Sequence, residues 1–526
     1  MSKKASTYLI SILVLLAFIA SVIFIYFSIL DATNGNFVYP IDDTYIHLSI
    51  AKHWLASGLP GINNGEFVFL TSSPLWTAII AAFAFLGINS EMLPFYINMF
   101  LAIVLILYLI HLFLPRFNNR TILLFIILLI IYSTSIPLLV IMGMEHLLHI
   151  LLLLVLFMNA DKFFQSSNKS ELFGLYILVA LLPLIRYESL FAIGAIVLLL
   201  LIRKKFIPAS IVLLISILPI VLVGLYSLGN GGTFLPTSLL LKGEFFDVHS
   251  LKELIKTLVL HPIHKLKESP QLLFILIASI VLLFRNGKKL FKTNELVPLL
   301  VFIITFVLHL LFAKIGWLYR YEAYLILIGS VTIALGVAGV AKLNGLLNRK
   351  VIIFILLLLS FSLLFRAYDT NTKIKQASIN IYEQQWQMAD FIKEFYSGNN
   401  IAINDIGLIS YRANVNICDL WGLASHKIAA LKMKKQLNME TINSVLERKQ
   451  VNIAVLYTLW FQGEKEFYKQ WLEAGSWIIK NNVVCGDSKV TFFAKDSVHL
   501  IKLEQNLNKF SSSLPKSVIQ KINTSK

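Results

Sequence analysis

Charge is what this sequence has least of: only 14% of its 526 residues are Asp, Glu, Lys or Arg. That is too few to clothe an ordinary soluble domain, where about a quarter of residues are charged. Cysteine is nearly absent, with Cys418 and Cys485 as the only two. A disulfide scaffold is thereby excluded; one bridge between them stays open, without a spacing motif to support it. No repeat of 20 to 50 residues appears, which argues against solenoids. The formal charge of +17 comes with no basic stripe and no RNA-binding signature, so nucleic acid is not an expected partner.

What the chain has instead is apolar length. Hydrophobic residues make up 57% and aromatics 12%, the composition of a polytopic membrane protein with lipid as a partner. Tyr8 to Leu30 is too long and evenly apolar for a cleaved signal and has no small-residue cleavage site before Asp31, so it reads as a retained span. Further apolar runs cover Leu93–Leu114, Thr121–Met142, His146–Met158, Leu172–Ile185, Leu190–Ile202, Phe206–Tyr226, Gln271–Phe284, Leu296–Ala313, Tyr324–Ala341 and Val351–Phe365. The expectation is a mainly α bundle of about eleven spans.

Pro74–Ile88 is too short, at 1.5 Å per residue, to cross a core of roughly 30 Å. With it lying on or dipping into the outer face, Arg116/Arg120, Arg203-Lys204-Lys205, Arg285/Lys288/Lys289/Lys292 and Lys342/Arg349/Lys350 all share the N-terminal side. That satisfies the positive-inside rule, with the N-terminus cytoplasmic in a multi-pass cytoplasmic (inner) membrane protein. Five connections then lie outside: 31–89, the turns at Gly143-Met144-Glu145 and Arg186-Tyr187-Glu188, the loop Ser227–Pro270, and Lys314–Glu322.

The expected domains are a transmembrane region over 1–366, an extracytoplasmic α/β domain over 367–505 and a loosely ordered polar tail over 506–526. In the α/β domain, Ile381–Tyr396 and Met439–Gln450 read as helices, and Asn400–Asn404 and Asn452–Tyr457 as strands. Val483–Lys495 reads as a pair of strands.

Asp42 and Asp43 open a short amphipathic helix just outside the first span. A carboxylate pair so near lipid is costly unless it serves a charge, metal or substrate. Helix capping by Asp42 is the plainer reading. Asp43 and His47 share a face at i, i+4. Glu145 stands beside His146 and four residues before His149; the histidines read as structural. Arg186, Lys242 and Arg320 are cations from three outer connections, interfacial anchors singly but able to neutralise a phosphate if they converge.

The stretch Ile41 to Trp76 resembles a recurrent pattern of bacterial GT-C superfamily membrane glycosyltransferases. An Asp-Asp-x-Tyr-Ile helix is followed by Asn64-Gly65-Glu66 and Ser73-Pro74-Leu75-Trp76. The resemblance continues at Gly143-Met144-Glu145, Arg186-x-Glu188, Leu235-Pro236-Thr237 with Lys242, and Trp317 to Arg320. It extends to Asn404-Asp405-Ile406-Gly407 and Asp419-Leu420-Trp421-Gly422-Leu423. It is closest to the branch with the mycobacterial arabinofuranosyltransferases and the glycosyltransferase 39-like enzymes. Tyr187 and Thr237-Ser238 depart from the usual Pro and Asn-Thr.

The resemblance implies transfer of a hexosyl or pentosyl group from a polyprenyl-phosphate-linked sugar donor to an envelope glycan, lipid or protein acceptor on the outer face, with inversion. By it Asp42 is the general base, Asp43 its support, and Glu145 the acid of the second outer loop. Arg186, Lys242 and Arg320 stabilise the departing phosphate. His47 is an acceptor or helix-face contact, and Trp421 an acceptor contact as a sugar platform or a core residue. A divalent cation (Mg, Mn or Ca) on Asp42, Asp43 and Glu145 stays open as a cofactor. The competing readings are a transporter or flippase, which would carry mid-span charges and symmetric broken helices, and a non-catalytic assembly protein.

Overall fold

The computed structural model describes residues 3–165, 168–242, 254–292, 295–342, 349–461 and 470–523. The side chain of Lys242 lies outside the described residues, as do those of Arg285, Lys288, Lys289, Lys292, Lys342, Arg349 and Lys350. The chain forms two compact units, one of residues 1–24, 95–222 and 244–372, the other of residues 25–94, 223–243 and 373–526.

The first unit is helical because lipid offers no hydrogen-bond partner to a bare backbone, and an α-helix satisfies its own. Among the described residues of the whole chain, five helices are long and apolar enough to cross a membrane: Tyr8–Ala32, Leu93–Phe113, Arg120–Met142, His146–Gln165 and Phe206–Gly229. A sixth arises if Lys256–Glu268 and Pro270–Phe284, bent by 109°, form one span. Ser189–Ile202 and Leu296–Phe312 are apolar but shorter, as is Ala323–Gly339. The protein is therefore a membrane protein with several apolar helices. The stretch before Pro270, expected as a loop, folds as the helix His261–Glu268, and Lys265 donates to the carbonyls of Leu310 and Ala313 at the end of the next helix but one.

One expected span is broken. Arg120–Ser133 stops short of Ile136–Met142, with Ser135 between them in the left-handed region at φ 64°. Pro137 has no N–H to give the carbonyl of Ser133. Arg366, fully buried, supplies the missing donor: its Nε bonds Ser133 O at 2.9 Å, while Nη1 meets Glu322 Oε1 at 2.6 Å and Nη2 meets Tyr319 O at 2.7 Å. A guanidinium is suited to this, since its donors fan out in a fixed fork.

The second unit is built on a six-stranded sheet: β1 (Asn400–Ile403), β2 (Asn416–Asp419), β3 (Ile453–Leu456), β4 (Leu472–Ile478), β5 (Lys489–Ala494) and β6 (Ile519–Ile522), in the order β2-β1-β3-β5-β4-β6. β1 runs parallel to β2 and β3, and the remaining pairs are antiparallel. The parallel part is covered on both faces, so β3 reads Ile-Ala-Val-Leu with every residue buried. Against the antiparallel part, Phe391, Trp477, Phe492 and Phe510 pack ring on ring.

The structure corrects the sequence expectations here. Val483–Lys495 holds one strand, not two; Asn482 Oδ1 accepts from the N–H groups of Val484 and Cys485 and folds that stretch into a turn. The partner strand is β4, whose Trp477 is buried. The described part of the tail, through Asn523, is ordered: Leu503, Leu507 and Phe510 bury one face of the helix Ser497–Phe510, and β6 closes the sheet edge. A boundary at 506 would cut that helix. Cys418 and Cys485 are both free and buried, and Cys485 Sγ donates to Gln385 Oε1 at 3.2 Å.

The connection 31–89 belongs to this unit. Asp43–Ser57 and Pro74–Phe85 form helices. Between them, Asn63 pairs with the edge strand β2 as another strand would: its Oδ1 accepts from Ile417 N at 2.7 Å and its Nδ2 donates to Ile417 O at 2.9 Å. The segment 237–238 lies against the same loop, with Thr237 N bonded to Phe69 O at 2.9 Å and the Thr237 hydroxyl donating to Leu423 O.

Candidate functional site

In the second unit the sequence-predicted residue Asp42 is buried, and it precedes the helix Asp43–Ser57 without capping it. Its side chain turns to a different helix. Oδ2 accepts from Gly407 N at 2.6 Å and Oδ1 from Leu408 N at 2.7 Å, the first amides of Gly407–Arg412. The expectation that Asp42 caps the helix it precedes is not met: its carboxylate is drawn instead to backbone amides 365 and 366 residues away in sequence. Asp405 is hydrogen-bonded to Asp42 and accepts from Gln385 Nε2 at 2.8 Å. Burial, and next the Asp405 carboxylate, hold the Asp42 carboxyl well above the ordinary range, while the two amides pull it down. Two carboxyls so placed share a proton more readily than they both ionise.

Gly407 is required by this contact. A Cβ there would lie 2.5 Å from Asp42 Oδ2. Asn404, in the same motif, clamps the end of β3 through two bonds of 3.0 Å with the backbone of Tyr457. Asp43 is half-buried beside Asp42. His47 is buried and bonds Thr77 Oγ1 through Nδ1 at 2.8 Å, tying the two helices of the connection together. Among the described residues no group of three or more His, Cys, Asp or Glu stands close enough to hold a metal ion, and Asp42's oxygens are already engaged by amide donors.

The second acidic motif builds a turn. Asp419 accepts from Trp421 N at 2.7 Å and from Ala424 N at 2.6 Å. Burial pushes its carboxyl up to about 6 against these bonds. Gly422, at φ 94°, supplies the left-handed residue the turn needs. Trp421 is half-buried beside Trp460, ring centroids 4.6 Å apart, so it is neither wholly core nor fully exposed.

In the first unit three predicted residues meet. Arg186 ends Lys169–Ile185 and bonds Glu145 Oε1 through Nη1 at 2.6 Å and Glu188 Oε1 through Nη2 at 2.5 Å. Its Nη1 also donates to His146 Nε2 at 3.1 Å, which requires the neutral imidazole. The guanidiniums of Arg186 and Arg320 both lie against the ring of Tyr321, at 5.6 Å and 4.9 Å. Glu145, Arg186 and Arg320 are all buried; Glu145 and Arg186 persist as charges by pairing with each other rather than by hydration, and Arg320 donates through Nη2 to the Tyr321 hydroxyl at 3.1 Å. His149 is buried, with its ring edge-on to that of Tyr324.

Glu188, Tyr321, Asp405 and Arg366 join these clusters without having been singled out for a role. Arg-x-Glu places Glu188 two residues from Arg186, and that spacing was the available signal. Asp405 follows Asn404 in a motif quoted only as a resemblance. Nothing local marks Arg366 as the donor to a helix break 233 residues earlier.

A family model described as a domain of unknown function, DUF8728, matches residues 377–493. No curated protein matches the chain. Among solved structures the chain is similar to ArnT from Cupriavidus metallidurans in the apo state and bound to undecaprenyl phosphate. Each match has 12% identity and a TM-score of 0.48, covering 92% of this chain and 98% of that one. It is also similar to the archaeal oligosaccharyltransferase AglB from Archaeoglobus fulgidus in complex with an inhibitory peptide and a dolichol-phosphate. That match has 11% identity and a TM-score of 0.44, covering 96% of this chain and 75% of that one.

Proposed function

We propose that this chain is an integral membrane glycosyltransferase that moves a sugar from a polyprenyl-phosphate donor to an envelope glycan, lipid or protein on the outer face of the cytoplasmic membrane, with inversion. The observation that carries the reading is the meeting of Glu145, Arg186 and Arg320 around Tyr321. These residues come from three separate connections of the sequence; Arg186 and Arg320 are cations suited to a phosphate, and Glu145 is the acid that the resemblance places in the second outer loop.

In this reading the guanidiniums stabilise the lipid phosphate as negative charge develops on it, and Glu145 holds Arg186 in place. By the sequence resemblance Lys242 is a third candidate cation for the same phosphate. Asp42 takes the proton of the acceptor hydroxyl as it attacks the anomeric carbon, and Asp43 supports it. A carboxyl raised by burial and a neighbouring acid is a stronger base than an exposed one. The glycosyl–phosphate bond breaks as the new glycosidic bond forms, leaving polyprenyl phosphate and one proton on Asp42.

The test is release of polyprenyl phosphate from a panel of polyprenyl-phosphate sugars by purified protein, with and without a chelator. Release coupled to an extended acceptor supports the reading, and a chelator-sensitive rate brings in a divalent cation. Movement of intact donor across vesicles without release supports a flippase instead.

A further inference from the structure

We propose that an open cleft in the second unit, lined by Trp421, Trp460, Phe461, Leu437, Lys432 and Lys435, binds a sugar bearing an anionic substituent, carboxylate or phosphate. The cleft encloses about 280 Å³, at the small end of the roughly 300–1,000 Å³ of small-molecule sites. That suits one or two sugar rings.

Its walls are fixed before any ligand arrives. Trp421 is carried by the turn that Asp419 builds. Trp460 donates its indole N–H to Gly486 O at 3.1 Å and packs on that glycine so closely that a Cβ would overlap the ring. Rings held by their own bonds lose little freedom on binding. The aromatic faces offer an apolar platform for the C–H face of a sugar.

The cations choose the sugar. Lys432 lies over the Trp421 ring and its charge also acts on Asp419, and Lys435 is exposed on the same wall. A neutral sugar gains only the platform. A carboxylate or phosphate on the ring gains charge-assisted hydrogen bonds as well. Taking this sugar as part of the acceptor rests on the transferase reading; binding itself does not.

Binding is measured by calorimetry on the full-length protein in detergent, without donor lipid. The probes are a galacturonic acid trimer, galactose 6-phosphate and a neutral galactose trimer. At least one anionic probe should bind tenfold or more tightly than the neutral trimer, and comparison of the two separates carboxylate from phosphate. Trp460→Ala should weaken that probe at least tenfold. The Lys432→Gln/Lys435→Gln double variant should bring anionic and neutral affinities within threefold while leaving the melting temperature unchanged. Equal affinity for all probes in the wild type, no binding at millimolar concentration, or wild-type affinity in Trp460→Ala would overturn the proposal. Because no donor is present, failed glycosyl transfer cannot produce any of these results.

Discussion

Gly407 has no side chain because Asp42 occupies the space one would need. Its amide is 2.6 Å from Asp42 Oδ2, and an added Cβ would be 2.5 Å from that same oxygen. Gly407→Ala should therefore push the connection 31–89 off the helix Gly407–Arg412. Overpacking of this kind costs about 1–3 kcal/mol. Thermal unfolding in detergent should show a lower melting temperature for Gly407→Ala, and an unchanged one would mean that Asp42 does not make the contact.

The same contact alters how Asp42 itself is tested. Asp42→Asn removes the base but also turns an NH2 group toward one of two backbone N–H donors, leaving that donor without an acceptor. The cost is about 1–3 kcal/mol. The variant should lose both transfer and stability, whereas Asp405→Asn, which keeps both Asp42 oxygens on their amides, should keep more of the stability. Melting temperatures of the two variants, set beside their turnover, separate catalysis from architecture.

Arg186 stands between the buried carboxylate of Glu145 and the half-buried one of Glu188. Arg186→Ala leaves Glu145 and Glu188 without their cation, and breaking a buried pair from one side costs about 3–5 kcal/mol. By contrast Lys449→Ala removes only an exposed bridge to Glu66 and should cost less than about 1 kcal/mol. Denaturation of the two variants in parallel checks the ranking, and equal effects would contradict the buried assignment.

The carboxyl of Asp419 gives stability a pH dependence. It titrates at about 6 in the folded protein against an ordinary 3.8, so the folded state holds its proton more tightly than the unfolded chain. Its contribution is complete below about pH 4 and is lost as pH rises through about 6, amounting to about 3 kcal/mol. Asp42, raised in the same direction, adds to the loss. Asp419→Asn should be less dependent on pH across this window when melting temperature is followed from pH 4 to 7, and an undiminished slope would assign the effect elsewhere.

Apolar runs and charge at their ends were legible in the sequence because lipid imposes a length and a composition locally. His146–Met158 is a helix with the bounds the sequence suggested. The break at Ser135 was hidden because Ser and Pro within an apolar run do not reveal whether a distant Arg366 will satisfy the freed carbonyl. In the sheet, β1 and β3 were visible as buried apolar strands. β4 and β6 were not: Leu472–Ile478 alternates poorly around Gly475, and Ile519–Ile522 is a short, mostly exposed edge. Of the candidate site, residue types and connections were readable. The engagement of Asp42 by Gly407 and Leu408 was not, since it joins segments 365 and 366 residues apart.

Purified protein incubated with isotopically labelled polyprenyl-phosphate sugars provides the most direct measurement of the central claim. The account predicts release of free polyprenyl phosphate in step with labelled acceptor, abolished in Arg320→Gln without loss of folding. Intact donor lipid after many hours, with every sugar tried and envelope extract present as acceptor, would contradict it.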